Sequence, residues 1–359
     1  MNDVKKIEVC VSKPYDVLVG GGILSSAGEY IKNIAKTDRV AVITDSTVDL
    51  FYFEKLGESL SASGIKYEKF VFPSGEKSKN INTLSDILEF LAEKGIRRND
   101  TLIALGGGVP GDIAGLAASL YMRGISVVQI ATTLLSAVDS SIGGKTAIDL
   151  KNGKNMAGAF WQPSLVLIDT DIIRELPDDI FAEGMAEVIK SGVIGGFEVN
   201  GCVFNGTVEN ELERIITDCL KMKASVVAED EFDLTGKRNV LNLGHTVAHG
   251  IEKLSSYTVS HGRAVGTGLV AEARIAAKLG ICDDSFADEL MRALNAYGLY
   301  SSYPYTAEEL VSAMKSDKKN RDDRIVFVLP KKPGALTQLK LSREELLPLT
   351  KSVFANRAE

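Results

Sequence analysis

A chain of 359 residues, 45% hydrophobic and 25% charged, is long enough for two domains with separate cores and has the balance of a globular rather than a disordered protein. Its net charge of −7 speaks against nucleic acid or an anionic membrane as a partner, although local lysines remain free to receive a small anion. The opening MNDVKKIEVC lacks the apolar core of a signal peptide, and no apolar run is long enough to span a bilayer, so a cytoplasmic enzyme is expected. Cys10, Cys202, Cys219 and Cys282 stand far apart with no C-x-x-C pair, and read as reduced packing thiols.

The first half alternates short β-branched runs with helical stretches, the pattern of an α/β domain with a largely parallel sheet. The predicted strands are Ile7 to Val11, Val40 to Thr44, Tyr67 to Phe72, Thr101 to Leu105, Val127 to Ala131 and Leu165 to Ile168. After Leu176-Pro177-Asp178-Asp179 the texture changes to helix-forming segments rich in Ala, Glu, Lys and Leu. This divides the chain into a Rossmann-like α/β domain, 1–177, and a mainly α-helical domain, 178–359. In the second, a short strand pair at Ile325 to Leu329 and Leu336 to Leu339 is the exception.

Asp45 stands just past an early strand, where α/β folds hold the ribose hydroxyls of a nucleotide; a helix N-cap is the plainer role for the same carboxylate. Pro73-Ser74-Gly75-Glu76-Lys77-Ser78-Lys79 is a polar turn suited to ribose or phosphate. The stronger motif is Gly106-Gly107-Gly108-Val109-Pro110-Gly111-Asp112, which follows a buried strand and opens a helix. Four glycines in six positions let backbone N–H groups approach a pyrophosphate, although the spacing is neither G-x-G-x-x-G nor a P-loop. Dinucleotide binding is therefore expected here. A second loop system is predicted through Thr132-Thr133, Val138 to Thr146 and Gly153-Lys154-Asn155, where Lys145, Lys151 and Lys154 make a positive site for phosphate or carboxylate.

All three histidines, His245, His249 and His261, fall in one 17-residue window. His245 and His249 at i and i+4 share a helix face, so spacing alone pairs them as zinc ligands. A catalytic metal normally takes a third protein ligand, and Glu187 in Gly184-Met185-Ala186-Glu187-Val188-Ile189-Lys190 is the candidate. Glu187 and Lys190 at i and i+3 share a helix face, for which a surface salt bridge is the plainer role; the apolar neighbours argue instead for burial, and a buried carboxylate needs a partner, of which zinc is one.

Together ALGGGVPGD, YMRG, ATTLL, VDSSIGGKTAID, GKN, FWQP, GMAEVIK, LNLGHTVAHGIE and SDKKN, in that order, resemble 3-dehydroquinate synthase. The resemblance implies a shikimate-route cyclase that converts the sugar-acid phosphate DAHP to 3-dehydroquinate and phosphate. It also implies NAD used catalytically, one divalent metal (zinc, with cobalt an alternative) and a homodimer. It makes Glu187, His245 and His261 the metal ligands and leaves His249 as an acid/base group. It puts Asp139, Lys145, Asn155, Lys190, Lys223, Arg238, Asn242 and Lys319 around the substrate, with Arg123 reaching the phosphate from the partner subunit. For the cofactor it implies Asp45, Glu76, Lys79, Gly107, Gly108, Asp112, Thr132, Thr133, Lys145 and Lys154. Two departures stand out: the stretch from Asp230 to Arg238 is one residue longer than usual, and SGVIGGFEVN lacks the customary Lys-Tyr-Gly. The alternatives are a sibling cyclase making deoxy-scyllo-inosose or valiolone, and a metal-dependent polyol or glycerol dehydrogenase, which would release net NADH.

Overall fold

The computed structural model describes residues 4–34, 38–197, 208–314 and 324–354. The chain forms two compact units, the first from Met1–Pro177 with Leu212–Phe232, the second from Asp178–Glu211 with Asp233–Glu359. No described helix is long and apolar enough to cross a membrane.

The first unit is built on a seven-stranded sheet in the order β1-β2-β9-β6-β5-β3-β4. Its strands are β1 (Lys5–Val9), β2 (Tyr15–Gly20), β3 (Arg39–Asp45), β4 (Lys66–Phe72), β5 (Thr101–Gly106), β6 (Ser126–Ala131) and β9 (Leu165–Asp169). Only β1 runs antiparallel to its neighbour. The central strands are apolar throughout because both faces are covered. Val40, Val42, Ile103 and Leu105 pack on one side with the helices α1 (Ala27–Ile34) and α2 (Glu54–Ala62). Ala41, Ile43, Leu102 and Ala104 pack on the other with α3 (Ile81–Glu93) and α4 (Gly108–Leu120).

Two features depart from the sequence reading. Strand β2 was not among the predicted strands, although the alternation of buried Tyr15, Val17 and Val19 is a legible period-two signal. The later part of the predicted second loop system, Lys145-Thr146 and Gly153 to Asn155, is instead in an antiparallel hairpin, β7 (Lys145–Leu150) with β8 (Gly153–Phe160). Its Gly, Lys and Asn content reads as loop because the hairpin is largely exposed on one face and needs few apolar residues.

The sheet changes direction between β3 and β5. Strand β4 lies to one side of β3, whereas β5, β6 and β9 follow on the other. Parallel sheets open a crevice at the carboxyl ends of strands at such a switch point. Asp45, Gly106 and Ala131 end β3, β5 and β6 there, in register through Thr44 with Leu105 and Gly106 with Ala131.

The second unit is helical: α5 (Asp178–Gly195), α7 (His245–Leu254), α8 (His261–Lys278), α9 (Asp284–Asn295), α10 (Ala307–Ala313) and α11 (Arg343–Phe354). Among the described residues one antiparallel pair, β10 (Ile325–Lys332) with β11 (Ala335–Leu341), joins them. Helix α6 (Val208–Glu229) contributes most of the Leu212–Phe232 segment that packs with the first unit.

Candidate active site and metal centre

In the first unit, the glycine loop turns β5 into α4. Gly107 is the N-cap of α4 and supplies no side-chain cap, so the helix N-terminus remains open to an anion. The loop packs closely against its neighbours: a Cβ on Gly107 would lie 3.1 Å from the Thr133 methyl, and one on Gly108 would lie 3.4 Å from Ser140 Oγ. Beside it, Thr132 Oγ1 is buried without a hydrogen-bond partner. Asp45 caps the short turn after β3, accepting from Thr47 N at 2.9 Å and Val48 N at 3.0 Å, both through Oδ1.

Lys79 links three segments of this unit. Its ammonium, on a side chain 5% exposed, meets Asp112 Oδ2 of α4 at 2.5 Å and Asn155 Oδ1 of the hairpin at 2.6 Å. Asn155 N in turn donates to Asp149 Oδ1, and Asp149 N donates to Lys79 O, both at 2.8 Å. Burial works to lower the Lys79 pKa, but the carboxylates of Asp112 and Glu76 outweigh it and raise the group. Burial raises Asp112, against the pull of Lys79. Lys154 approaches Glu76 at 3.8 Å, and Lys145 opens β7 with an exposed side chain. Lys223 of α6 donates to Asp139 Oδ1 at 2.8 Å and to Asp139 O at 2.7 Å.

Arg123 follows the C-terminus of α4. It lies beyond Leu120 in a tight turn where Met122 and Arg123 both have positive φ, 48° and 64°. Two such residues cost on the order of 1–3 kcal/mol each, and the turn holds Arg123 out to solvent.

In the second unit, Glu187 is 1% exposed on α5 among buried Met185, Ala186, Val188 and Ile189. Lys190, one turn on and equally enclosed, pairs with Glu187 Oε2. His245 Nε2, from the first residue of α7, comes within 3.5 Å of Glu187 Oε1, and His261 Nε2, from the first residue of α8, within 3.4 Å. These distances are long for hydrogen bonds, and Oε1 makes none. Donor atoms held tetrahedrally at about 2.0–2.1 Å from zinc lie about 3.3–3.4 Å apart, so the spacing fits atoms that share an ion. Among the described residues, Glu187, His245 and His261 form the group of donors close enough to hold a metal.

The outward ring nitrogens are occupied. His245 Nδ1 is 3.1 Å from Leu243 O, and His261 Nδ1 is 3.3 Å from Glu252 Oε1, so each ring turns Nε2 towards Glu187. Burial, with the Lys190 charge, takes His245 down to about 3 and keeps it neutral. For His261 burial acts downward but is outweighed by Glu187 and Glu252, which push it up to about 10. Burial would raise Glu187, yet Lys190 and the two imidazoles hold it well below the usual carboxylate range.

His249 stands apart from the donor group. Its ring centroid is 5.6 Å from that of His245, close to the 5.4 Å of His261, but it is exposed and outside the converging donor atoms, so the i,i+4 pairing suggested by spacing alone is not the cluster the fold makes. Buried Arg238 and exposed Asn242 lie on the turn Lys237–Asn242 that leads into α7. Lys319 lies outside the described residues.

Two carboxyl groups of this region escaped the sequence reading. Glu252, 3% exposed on α7, is the partner of His261 Nδ1. Glu272, fully buried on α8, accepts from Gly244 N at 2.6 Å and Val247 N at 3.4 Å at the start of α7. The available signal was an isolated Glu within each apolar helical run. Burial lifts Glu272 to about 8 against its backbone hydrogen bonds. Because this exceeds the ordinary 4.5, the folded protein keeps a proton that the unfolded chain loses. The resulting stability is complete below about pH 4.5 and is lost as pH rises towards 8. Urea midpoints across that interval should therefore fall more steeply for wild type than for Glu272→Gln; parallel slopes would remove Glu272 as the source.

Residues 69–183 match the family model described as 3-dehydroquinate synthase N-terminal, and residues 184–320 match that described as 3-dehydroquinate synthase C-terminal. The 3-dehydroquinate synthase of Clostridium kluyveri is 41% identical over 350 residues, covering 96% of this chain and 97% of that one. The chain belongs to the 3-dehydroquinate synthase family. Its fold also matches two solved structures: 2-deoxy-scyllo-inosose synthase complexed with carbaglucose-6-phosphate, NAD+ and Co2+, and 2-epi-5-epi-valiolone synthase from Streptomyces hygroscopicus subsp. jinggangensis 5008 with NAD+ and Zn2+ bound. The first is 24% identical at a TM-score of 0.85, covering 97% of this chain and 100% of that one. The second is 23% identical at 0.86, covering 96% and 97%. In the 3-dehydroquinate synthase family models, the glycine loop falls in the N-terminal match, and Glu187 and all three histidines in the C-terminal one.

Proposed function

We propose that the chain converts DAHP to 3-dehydroquinate and inorganic phosphate, using NAD catalytically and one divalent metal. The observation that carries this reading is the convergence of Glu187 Oε1, His245 Nε2 and His261 Nε2 beside Lys190, within a chain of this family. Zinc suits two imidazoles and a carboxylate with a position left for substrate, and cobalt suits the same donors. When bound, NAD takes and returns a hydride, while the metal lowers the pKa of the hydroxyl being oxidised.

The chain's own residues account for binding and proton transfer. The open N-terminus of α4 at Gly107 and Gly108 receives the dinucleotide pyrophosphate, and Thr132 Oγ1 and Thr133 offer hydroxyls beside it. Asp45 keeps Oδ2 for ribose after capping its own turn with Oδ1, and the Glu76, Lys79, Asp112 and Lys154 network fixes the neighbouring loops. Lys145, Asn155, Lys190, Lys223, Arg238, Asn242 and Lys319 provide charge and hydrogen bonds for the substrate carboxylate, hydroxyls and phosphate. Asp139 holds Lys223 in place. His249, exposed near the metal ligands, passes protons to solvent and substrate. Arg123 reaches the phosphate of a partner subunit in a homodimer. In this reading 1–177 is the NAD-binding domain and 178–359 the metal and substrate domain, acting in the cytoplasm on a small sugar phosphate, without nucleic acid or membrane.

The test is to mix purified protein with DAHP, NAD and zinc and to follow phosphate and NADH together. Phosphate should appear one for one with carbocycle while NADH stays near zero, because the oxidation is reversed within each turnover. NADH rising in step with product would transfer the protein to the dehydrogenase class. Carbocycle formation from a different sugar phosphate, with none from DAHP, would transfer it to a sibling cyclase.

A further inference from the structure

We infer that Glu252 and Glu272 are positioning residues that lock the two histidine-bearing helices to each other and so set the aim of the metal ligands. The inference rests on reading Glu187, His245 and His261 as a metal site. Helix α7 begins with Gly244 at φ 80° and His245, and supplies no side-chain cap of its own. The missing cap comes from α8, where the Glu272 carboxyl accepts from Gly244 N and Val247 N. Helix α8 begins with His261, likewise without a side-chain cap from its own N-cap residue, Ser260. In return, α7 sends Glu252 to His261 Nδ1. Each helix therefore carries one ligand at its first residue and one buried carboxyl directed at the other helix, Glu272 at the first turn of α7 and Glu252 at the His261 ring, while the first turn of α8 is held by Glu183 of α5, which accepts from Gly262 N at 2.6 Å.

The helices pack closely enough for this exchange. A Cβ on Gly268 of α8 would sit 2.0 Å from Gly244 O, and a Cβ on Gly244 would sit 2.9 Å from Leu269 Cγ. Position 268 must be glycine for the backbones to meet, and Glu272, four residues further along α8, then reaches the first turn of α7. Glu252 decides which imidazole nitrogen of His261 is free. An acceptor at Nδ1 keeps a proton there and leaves the Nε2 lone pair turned to Glu187, whereas an unpaired ring could rotate or offer either nitrogen. Neither carboxyl touches the reacting atoms; both act through a ligand.

Zinc affinity measured by chelator competition tests this on wild type and on Glu252→Met and Glu272→Met, which keep side-chain volume and remove the acceptor. Each Met variant should bind zinc about 10–100-fold more weakly, the range expected for loss of a group that orients a ligand. The corresponding Gln variants, which keep a carbonyl acceptor, should recover most of that affinity. Met variants with wild-type affinity, or Gln variants as weak as Met, would overturn the inference. Melting of the metal-free proteins separates a merely structural role, which lowers stability while leaving the affinity of the folded fraction unchanged and so counts against the inference. If the Met variants fail to fold, nitrogen NMR of zinc-loaded wild type decides: coordination through Nε2 of both His245 and His261 is expected, and coordination of His261 through Nδ1 overturns it. Wild type that takes up no metal overturns the underlying site reading as well. Uptake abolished by Glu187→Ala but untouched by Glu252→Met and Glu272→Met overturns this inference alone.

Discussion

Replacing Glu187, His245 or His261 by alanine should yield protein that leaves dialysis without metal and without activity, whereas His249→Ala should keep its metal and lose turnover. The three positions place their donor atoms within 4.8 Å of one another, and each alanine would remove one of the three bonds of the proposed metal site. His249 lies outside that group and is exposed one helical turn from His245, where an imidazole exchanges protons with solvent. Loss of a positioned proton-transfer group costs on the order of 10²–10⁴-fold in rate. Glu187→Ala carries a second penalty, because the Lys190 ammonium, 2% exposed, then stays buried without its carboxylate, at roughly 3–5 kcal/mol. Elemental analysis after identical dialysis checks the first effect, and denaturant midpoints of the metal-free proteins check the second. A metal-free His249→Ala beside a zinc-loaded His261→Ala would sink the assignment.

The parallel sheet was legible because its central strands are buried on both faces and so read as continuous apolar runs. Val40 to Thr44 and Thr101 to Leu105 fall within β3 and β5. The hairpin β7–β8 was hidden for the opposite reason. With Lys145, Lys151, Asn155 and Met156 exposed, its stability comes from backbone pairing, and its side chains carry a loop's composition. Helix α6 shows a different limit. Periodicity announces an amphipathic helix, but nothing in Leu212 to Phe232 tells which core its apolar face joins, and only the fold brings Lys223 to Asp139.

The candidate metal site shows where local spacing stops being informative. An i,i+4 pair of histidines guarantees a shared helix face and nothing more. The cluster that forms depends on α8 starting at His261 and on α5 presenting Glu187, contacts separated by up to 74 residues and set by the close approach of glycine-containing helices. The resemblance to a family carried that long-range information; the residues alone did not. Glu252 and Glu272 were missed because a lone Glu in an apolar helix looks the same in sequence whether it holds a ligand, caps a neighbour or meets solvent.

The second large effect is expected at Asp112. Replacing it with alanine leaves the Lys79 ammonium, 5% exposed, with the hydrogen bond to Asn155 Oδ1 and with Glu76 as a more remote charge, so the loss of stability should be about 3–5 kcal/mol. The damage should also reach the cofactor. Lys79 ties the turn at Glu76–Ser78 to α4 through Asp112 and to the hairpin through Asn155, so losing Asp112 frees the turn from α4 while the tie to the hairpin remains. A double variant separates these roles, since replacing both partners of a buried pair with apolar groups is often neutral for stability. Lys79→Met combined with Asp112→Leu should recover most of the urea midpoint lost in Asp112→Ala, yet calorimetric titration should still show NAD binding at least tenfold weaker than wild type. Apolar side chains refill the volume but cannot offer charge or hydrogen bonds to ribose and phosphate. Wild-type NAD affinity in that double variant would reduce the pair to a structural brace and move the dinucleotide contacts elsewhere on the crevice.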